Sequence, residues 1–94
     1  MERKETMWIV KIKKRVLKNL PKLPEAVQDN FAALRNDLAF DGPEQPGWKN
    51  YSKLGGNRYH CHLNYHYVAC WTKDEKDNLI LEVYYVGSRE NAPY

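Results

Sequence analysis

Hydrophobic positions along the chain change period twice, and each change marks a new element. Trp8-Ile-Val-Lys-Ile12 alternates, with Trp8, Val10 and Ile12 to one side, and its β-branched and aromatic content predicts a first strand. From Lys13 to Lys22 the spacing turns helical. Val16, Leu20 and Leu23 share a face, while Lys13, Lys14, Arg15, Lys18 and Lys22 cover the rest, as in a short basic amphipathic helix ended at or just before Pro21. A second helix opens at Leu23-Pro24-Glu25, where proline is tolerated in the first turn and Glu25 and Asp29 meet the positive end of the helix dipole. Val27, Phe31, Leu34 and Leu38 form its buried stripe to about Phe40, and Asp41-Gly-Pro43 stops it.

Period two returns in the second half. Residues 41–57 carry four of the five glycines and two of the five prolines and read as a loop, with a short strand inside Trp48–Leu54. Gly55-Gly-Asn57 is a turn signal before Arg58–Asn64, which alternates strictly. Tyr67–Thr72 and Leu79–Val86 are two further strands, joined by a short turn at Asn64–His66 and a charged one at Lys73–Asn78. Gly87–Tyr94 is a C-terminal tail. The order predicts one α+β domain over residues 1–94: an N-terminal strand, then two helices packed on one face of a twisted antiparallel sheet. The other face and the tail are left for function.

Composition changes this picture little. Ninety-four residues suffice for a single core, and 43% hydrophobic with 29% charged residues is ordinary for a globular protein. No apolar run is long enough for a membrane span, and Met1–Thr6 lacks the apolar core of a signal peptide, so a cytoplasmic protein with no membrane partner is expected. The net charge of +3 hides an asymmetry: residues 1–23 hold eight Lys/Arg against two Glu, about +6, and the remainder about −3. A basic segment of this kind suits nucleic acid, an acidic protein partner or plain solvent. Cys61 and Cys70 form no CxxC pair. A bridge across neighbouring strands is open to them, and two reduced, part-buried thiols are expected in a cytoplasmic chain.

The candidate chemistry lies in Arg58–Asn64. Tyr59, Cys61 and Leu63 point one way; Arg58, His60, His62 and Asn64 point the other. Residues two apart on a strand stand roughly 6.5–7 Å apart. Two imidazoles at that spacing reach opposite sides of one phosphate, and their pKa near neutrality suits proton transfer. The plain alternative is a polar sheet face that happens to carry histidines. His60-x-His62 also invites zinc, but Cys61 points away and a third ligand would have to come from His66 or Glu82, so no metal and no cofactor are expected.

The order of elements, with Lys53-Leu-Gly-Gly-Asn-Arg-Tyr59, Tyr67-Val-Ala-Cys-Trp71 and Val86-Gly-Ser-Arg89 ending at Tyr94, resembles the RelE/ParE superfamily of bacterial toxin–antitoxin toxins. The resemblance covers nearly the whole chain and is carried by the order and spacing of these pieces. It implies a small basic toxin neutralised by a cognate antitoxin that wraps it. RelE-like members cleave mRNA in the ribosome, whereas ParE-like members share the fold and poison DNA gyrase; a member that only binds its antitoxin is a third possibility. The resemblance matches Arg89 to the arginine that faces the scissile phosphate, Tyr94 to the C-terminal tyrosine, and Lys53 to a lysine of the basic loop before the central strand, the place it gives Arg58–Asn64. RelE members carry Lys and Arg on that strand, where this chain has His60 and His62. The resulting expectation is a ribosome-dependent mRNA endoribonuclease using His60, His62, Arg89 and Tyr94 in catalysis, with Lys53, Arg58, Lys14 and Lys18 contacting RNA.

Overall fold

The computed structural model describes residues 7–76 and 78–94. Met1–Thr6, the start of the basic N-terminal third, and Asp77 in the charged turn lie outside them. The chain runs β1 (Ile9–Ile12), α1 (Lys14–Asn19), a 3₁₀ turn (Leu20–Lys22), α2 (Glu25–Asp41), β2 (Ser52–Gly55), β3 (Arg58–His62), β4 (Tyr67–Lys73), β5 (Ile80–Ser88) and a final 3₁₀ turn (Arg89–Asn91). The strands form one sheet in the order β1-β5-β4-β3-β2. β2 to β5 are an antiparallel meander, as the short turns require, whereas β1 pairs parallel to β5. The parallel edge makes the sheet mixed rather than purely antiparallel. It follows from the helices lying between β1 and the meander, since a parallel pair needs a long crossover.

α1 and α2 cover one face. Val16 from α1 and Val27, Phe31, Leu34 and Leu38 from α2 pack on Tyr59, Cys61, Leu63, Ala69, Trp71, Leu81, Val83 and Val86 from the sheet, with Trp8, Val10 and Ile12 against the margin. β4 is the central strand, and β3 lies between it and the edge strand β2, one place out from the position that the family resemblance implied. The reason is the pairing of β1 with β5, which adds a fifth strand beyond the meander. Cys61 and Cys70 are both free and buried. Cys61 is opposite Ala69 on the helix side and Cys70 opposite His60 on the other, so their side chains diverge. Burial pushes both thiols up to about 12, which keeps them protonated and unreactive.

Two bulges reset the alternation. On β2 the register shifts between Lys53 and Gly55, so Ser52 stands opposite His60 and Lys53 opposite Tyr59. On β5 an extra residue, Tyr84, enters between Val83 opposite Trp71 and Tyr85 opposite Cys70. Strict alternation from Val83 would carry Tyr85 into the core; the bulge sends Val86 there instead. Gly87 then leaves room for the Tyr85 phenol to fold across it and donate to the Ser88 carbonyl at 2.7 Å, since a Cβ on Gly87 would fall 2.8 Å from the Tyr85 oxygen.

The end of α2 depends on one glycine. Gly42 has φ 86°, and its N–H bonds the Leu38 carbonyl at 2.9 Å. A Cβ there would lie 2.7 Å from the Trp8 indole, whose own backbone N–H is tied to Ala39. Gly42→Ala therefore meets both positive-φ strain and a rigid ring, and is expected to cost about 2 kcal/mol, read as a fall in the urea midpoint with unchanged slope.

Candidate functional site

On β3 the face away from the helices carries Arg58, His60 and His62. It is not bare: Val68 and Cys70 of β4, opposite His62 and His60, are fully buried there. Part of that cover is the C-terminus, which turns back through Arg89–Asn91 and lays the Tyr94 ring 4.6 Å from the His60 ring. His60 is only 8% exposed, unusual for a residue on a strand face that looks away from the core. The two imidazoles are 5.6 Å apart, ring to ring, at 60°.

Each ring is held at Nδ1 by a residue of the segment that leads into β2. Ser52 Oγ lies 3.0 Å from His60 Nδ1, and the Asn50 side-chain amide lies 3.3 Å from His62 Nδ1, the direction of each bond following the tautomer of the ring. Asn50 has φ 53°, a left-handed conformation asparagine tolerates, and the neighbouring Lys49 carbonyl accepts the His62 backbone N–H at 2.8 Å. With Nδ1 held, Nε2 is the ring nitrogen of each imidazole without a hydrogen bond among those described.

The electrostatics separate the two histidines. Both titrate below the ordinary 6.5, chiefly through burial. His62 is further lowered by Arg89 and Lys49, which oppose a second positive charge. His60 is lowered by His62 but supported in its charged form by a hydrogen bond to the Ser52 backbone. Both are thus biased toward the neutral imidazole, His62 by burial and two neighbouring cations and His60 by burial and His62, with the Ser52 bond opposing the shift at His60 alone. Tyr94 is pushed above its usual 10, mainly by burial, so its phenol stays protonated at neutral pH.

Arg89 follows the last strand. Its backbone N–H bonds the His66 carbonyl at 2.9 Å, and its guanidinium lies over the Tyr65 ring, 5.0 Å from the centroid. His60, His62 and Tyr94 are therefore in contact, although some thirty positions separate the strand from the tail, while Arg89 sits over the neighbouring turn at Tyr65 and His66 and reaches His62 and Tyr94 through its charge. Arg58 lies farther along the same face, beside the Tyr84 hydroxyl and the Cys70 thiol.

The basic candidates lie elsewhere. The β2 bulge turns Lys53 from the histidine face to the Tyr59 side, where its ammonium sits 5.7 Å over that ring. Lys14 and Lys18 are exposed on α1, and Lys18 lines a groove of about 530 Å³ with Arg15, Lys22, Tyr85 and Pro93. Lys49, Asn50 and Ser52 are the neighbours of the histidines that sequence reasoning missed. An Asn-Tyr-Ser run before a glycine turn, facing a strand with two histidines, is the available signal, but only the bulge decides that Ser52 and not Lys53 meets His60. Among the described residues no group of three His, Cys, Asp or Glu comes together that could hold a metal ion.

No protein-family model matches the chain, and no curated protein matches it by sequence. Solved structures do match. A RelE–RelB complex from Pyrococcus horikoshii superposes with a TM-score of 0.70 at 24% identity, covering 90% of this chain and 98% of that one. The YoeB–YefM complex from Staphylococcus aureus gives 0.66 at 10% identity, over 85% and 94% of the two chains. The isolated RelE toxin of E. coli gives 0.65 at 19% identity, over 92% and 88%. At these identities the likeness is one of fold: the chain has the fold of the RelE-type toxins.

Proposed function

We propose that this chain is the cytoplasmic toxin of a type II toxin–antitoxin pair and an endoribonuclease that cuts mRNA at the ribosome. The observation that carries the reading is the contact of His60 with His62 and Tyr94 on one sheet face, with Arg89 at the adjoining turn. In the proposed reaction neutral His62, in the tautomer that carries its proton on Nδ1 with the Asn50 amide turned so that its oxygen accepts it, takes the proton of a ribose 2′-hydroxyl at Nε2, and the 2′-oxygen attacks the adjoining phosphorus. Negative charge on the non-bridging oxygens of the phosphorane is met by the Arg89 guanidinium. The bond from phosphorus to the 5′-oxygen breaks, and that oxygen receives its proton from protonated His60. The products are a 2′,3′-cyclic phosphate and a 5′-hydroxyl end; solvent exchange restores the two imidazoles. The Tyr94 ring, 55% exposed beside His60, offers a face to an unpaired base.

Primer extension on a message in a cell-free translation reaction tests this. Cuts that map to codons support the nuclease. Intact message with loss of DNA supercoiling activity would overturn it in favour of gyrase inhibition.

The P. horikoshii and S. aureus structures are complexes, which supports an antitoxin as the partner here. The groove between α1 and the end of β5 suits a segment of it. Arg15, Lys18 and Lys22 form a basic rim, while Tyr84, Tyr85, Val86 and Pro93 give an apolar floor, so an acidic amphipathic segment is complementary. Lys18→Glu with Lys22→Glu is expected to weaken antitoxin binding on the order of tenfold at low salt, with the gap closing as salt rises. Titration calorimetry at two salt concentrations reads it. Weakened message binding with unchanged antitoxin binding would instead return Lys18 to the RNA surface.

A further inference from the structure

The turn between β3 and β4 holds an exposed aromatic in an ordered setting. The Asn64 side-chain carbonyl accepts the backbone N–H groups of His66 and Tyr67 at 2.8 and 3.0 Å, and the Leu63 N–H bonds the Tyr67 carbonyl at 2.8 Å. Tyr65 at the tip is 68% exposed, the most open of the large apolar side chains described. It is not a loose ring: the Arg89 guanidinium lies over it, and the His66 ring meets it nearly perpendicular at 4.8 Å. Beside them is a concavity of about 290 Å³ lined by His66, Tyr67, Ser88, Arg89 and Glu90.

We infer that Tyr65, with Arg89, forms a base-stacking subsite for the unpaired nucleotide next to the phosphate held between His60 and His62. The inference rests on the nuclease reading and deepens it. Ser88 pairs with Tyr67, the neighbour of Val68 opposite His62, and Arg89 follows with its N–H on the His66 carbonyl and its guanidinium on Tyr65, so a phosphate drawn from the histidines to the guanidinium has the phenol ring beside it. Tyr94 stands at the other end, against His60. The face thus has an aromatic ring on each side of the reacting pair, the arrangement a strand with splayed bases requires, because any base has a face to stack and each stack strengthens binding severalfold or more. A ring on a turn pinned by Asn64 and packed against Arg89 and His66 loses little freedom on binding, so little of the stacking energy is spent on ordering it.

The test uses ribosomes programmed with a message carrying 2-aminopurine beside the cut phosphate and a 2′-deoxy sugar at the attacking position, so that the message binds but is not cut. The wild-type chain is expected to quench the 2-aminopurine fluorescence. Tyr65→Ala should remove most of the quench at saturating protein and raise the concentration for half-binding roughly five- to a hundredfold. Tyr65→Phe should restore both. A full quench with Tyr65→Ala overturns the subsite, even if cleavage of unmodified message falls, since Tyr65 would then only mount Arg89. If the wild type cuts unmodified message but quenches nothing, the subsite falls and the nuclease stands. If it neither binds nor cuts message, both fall.

Discussion

Replacing both imidazoles, His60→Ala with His62→Ala, is expected to lower message cleavage by about three orders of magnitude or more. General acid and general base each contribute about 10²–10⁴-fold, and here the two roles fall on one pair. Each single variant should lose most of that, since groups acting as a unit are not additive. His60 is largely buried and bonded to Ser52, so some loss of stability accompanies the change, on the order of 1 kcal/mol. Circular dichroism on the same samples separates the two effects: an unaltered spectrum with cleavage intact would remove the histidines from the mechanism.

The pH dependence gives a second reading of the same pair. Both imidazoles titrate below 6.5 in the folded chain. Between those values and 6.5 the unfolded chain holds more protons than the folded one, so stability rises with pH across that interval. The contribution is complete above 6.5 and is lost as pH falls through the folded values. The double variant should lose this slope, measurable as a smaller difference in urea midpoint between pH 5 and pH 7. The acid limb of kcat/KM should likewise lie below 6.5, as apparent values that belong to the pair.

Much of this was legible in the residues because period two is a strict rule. Tyr59 and Cys61 against His60 and His62 had to part to opposite faces, and the stripe Val27, Phe31, Leu34, Leu38 had to cover one of them. What could not be read is whatever breaks the period. A one-residue bulge on β2 exchanges Lys53 for Ser52 beside His60, and nothing in Ser-Lys-Leu-Gly announces it. A second bulge does the same to Tyr84 and Tyr85. The place of Tyr94 against His60 depends on how a tail folds back after Ser88, which no local pattern encodes; only the family resemblance pointed to it. The parallel pairing of β1 with β5 joins segments some seventy residues apart, beyond the reach of spacing arguments.

Trp71→Ala should be the most damaging single change to the fold, at about 4 kcal/mol or more. The indole is fully buried on the central strand, stacked on Tyr59 at 6.1 Å and Tyr51 at 6.4 Å, and its Nε1–H donates to the Pro43 carbonyl at 3.0 Å. A Trp-to-Ala cavity alone costs about 3–5 kcal/mol, and a buried carbonyl left without its donor adds about 1–3 kcal/mol less whatever water recovers. Against a typical total of about 5–15 kcal/mol this leaves the chain marginal or unfolded at 37 °C, visible as a collapsed thermal midpoint. Trp71→Phe is the more informative partner, because it keeps an aromatic stack and removes the donor. Pro43, which accepts from the indole, and Tyr51, which stacks on it, belong to the segment that carries Lys49, Asn50 and Ser52 to the histidines. Trp71→Phe is therefore expected to lose about 1–2 kcal/mol of stability and, in chains that remain folded, to lower the cleavage rate by slackening Asn50 and Ser52. A folded Trp71→Phe variant with a full cleavage rate would mean that the segment holds its place without the indole N–H, through the Lys49–His62 backbone bond, the Ser52–His60 pairing and the Trp48 and Gln45 bonds to Asp37.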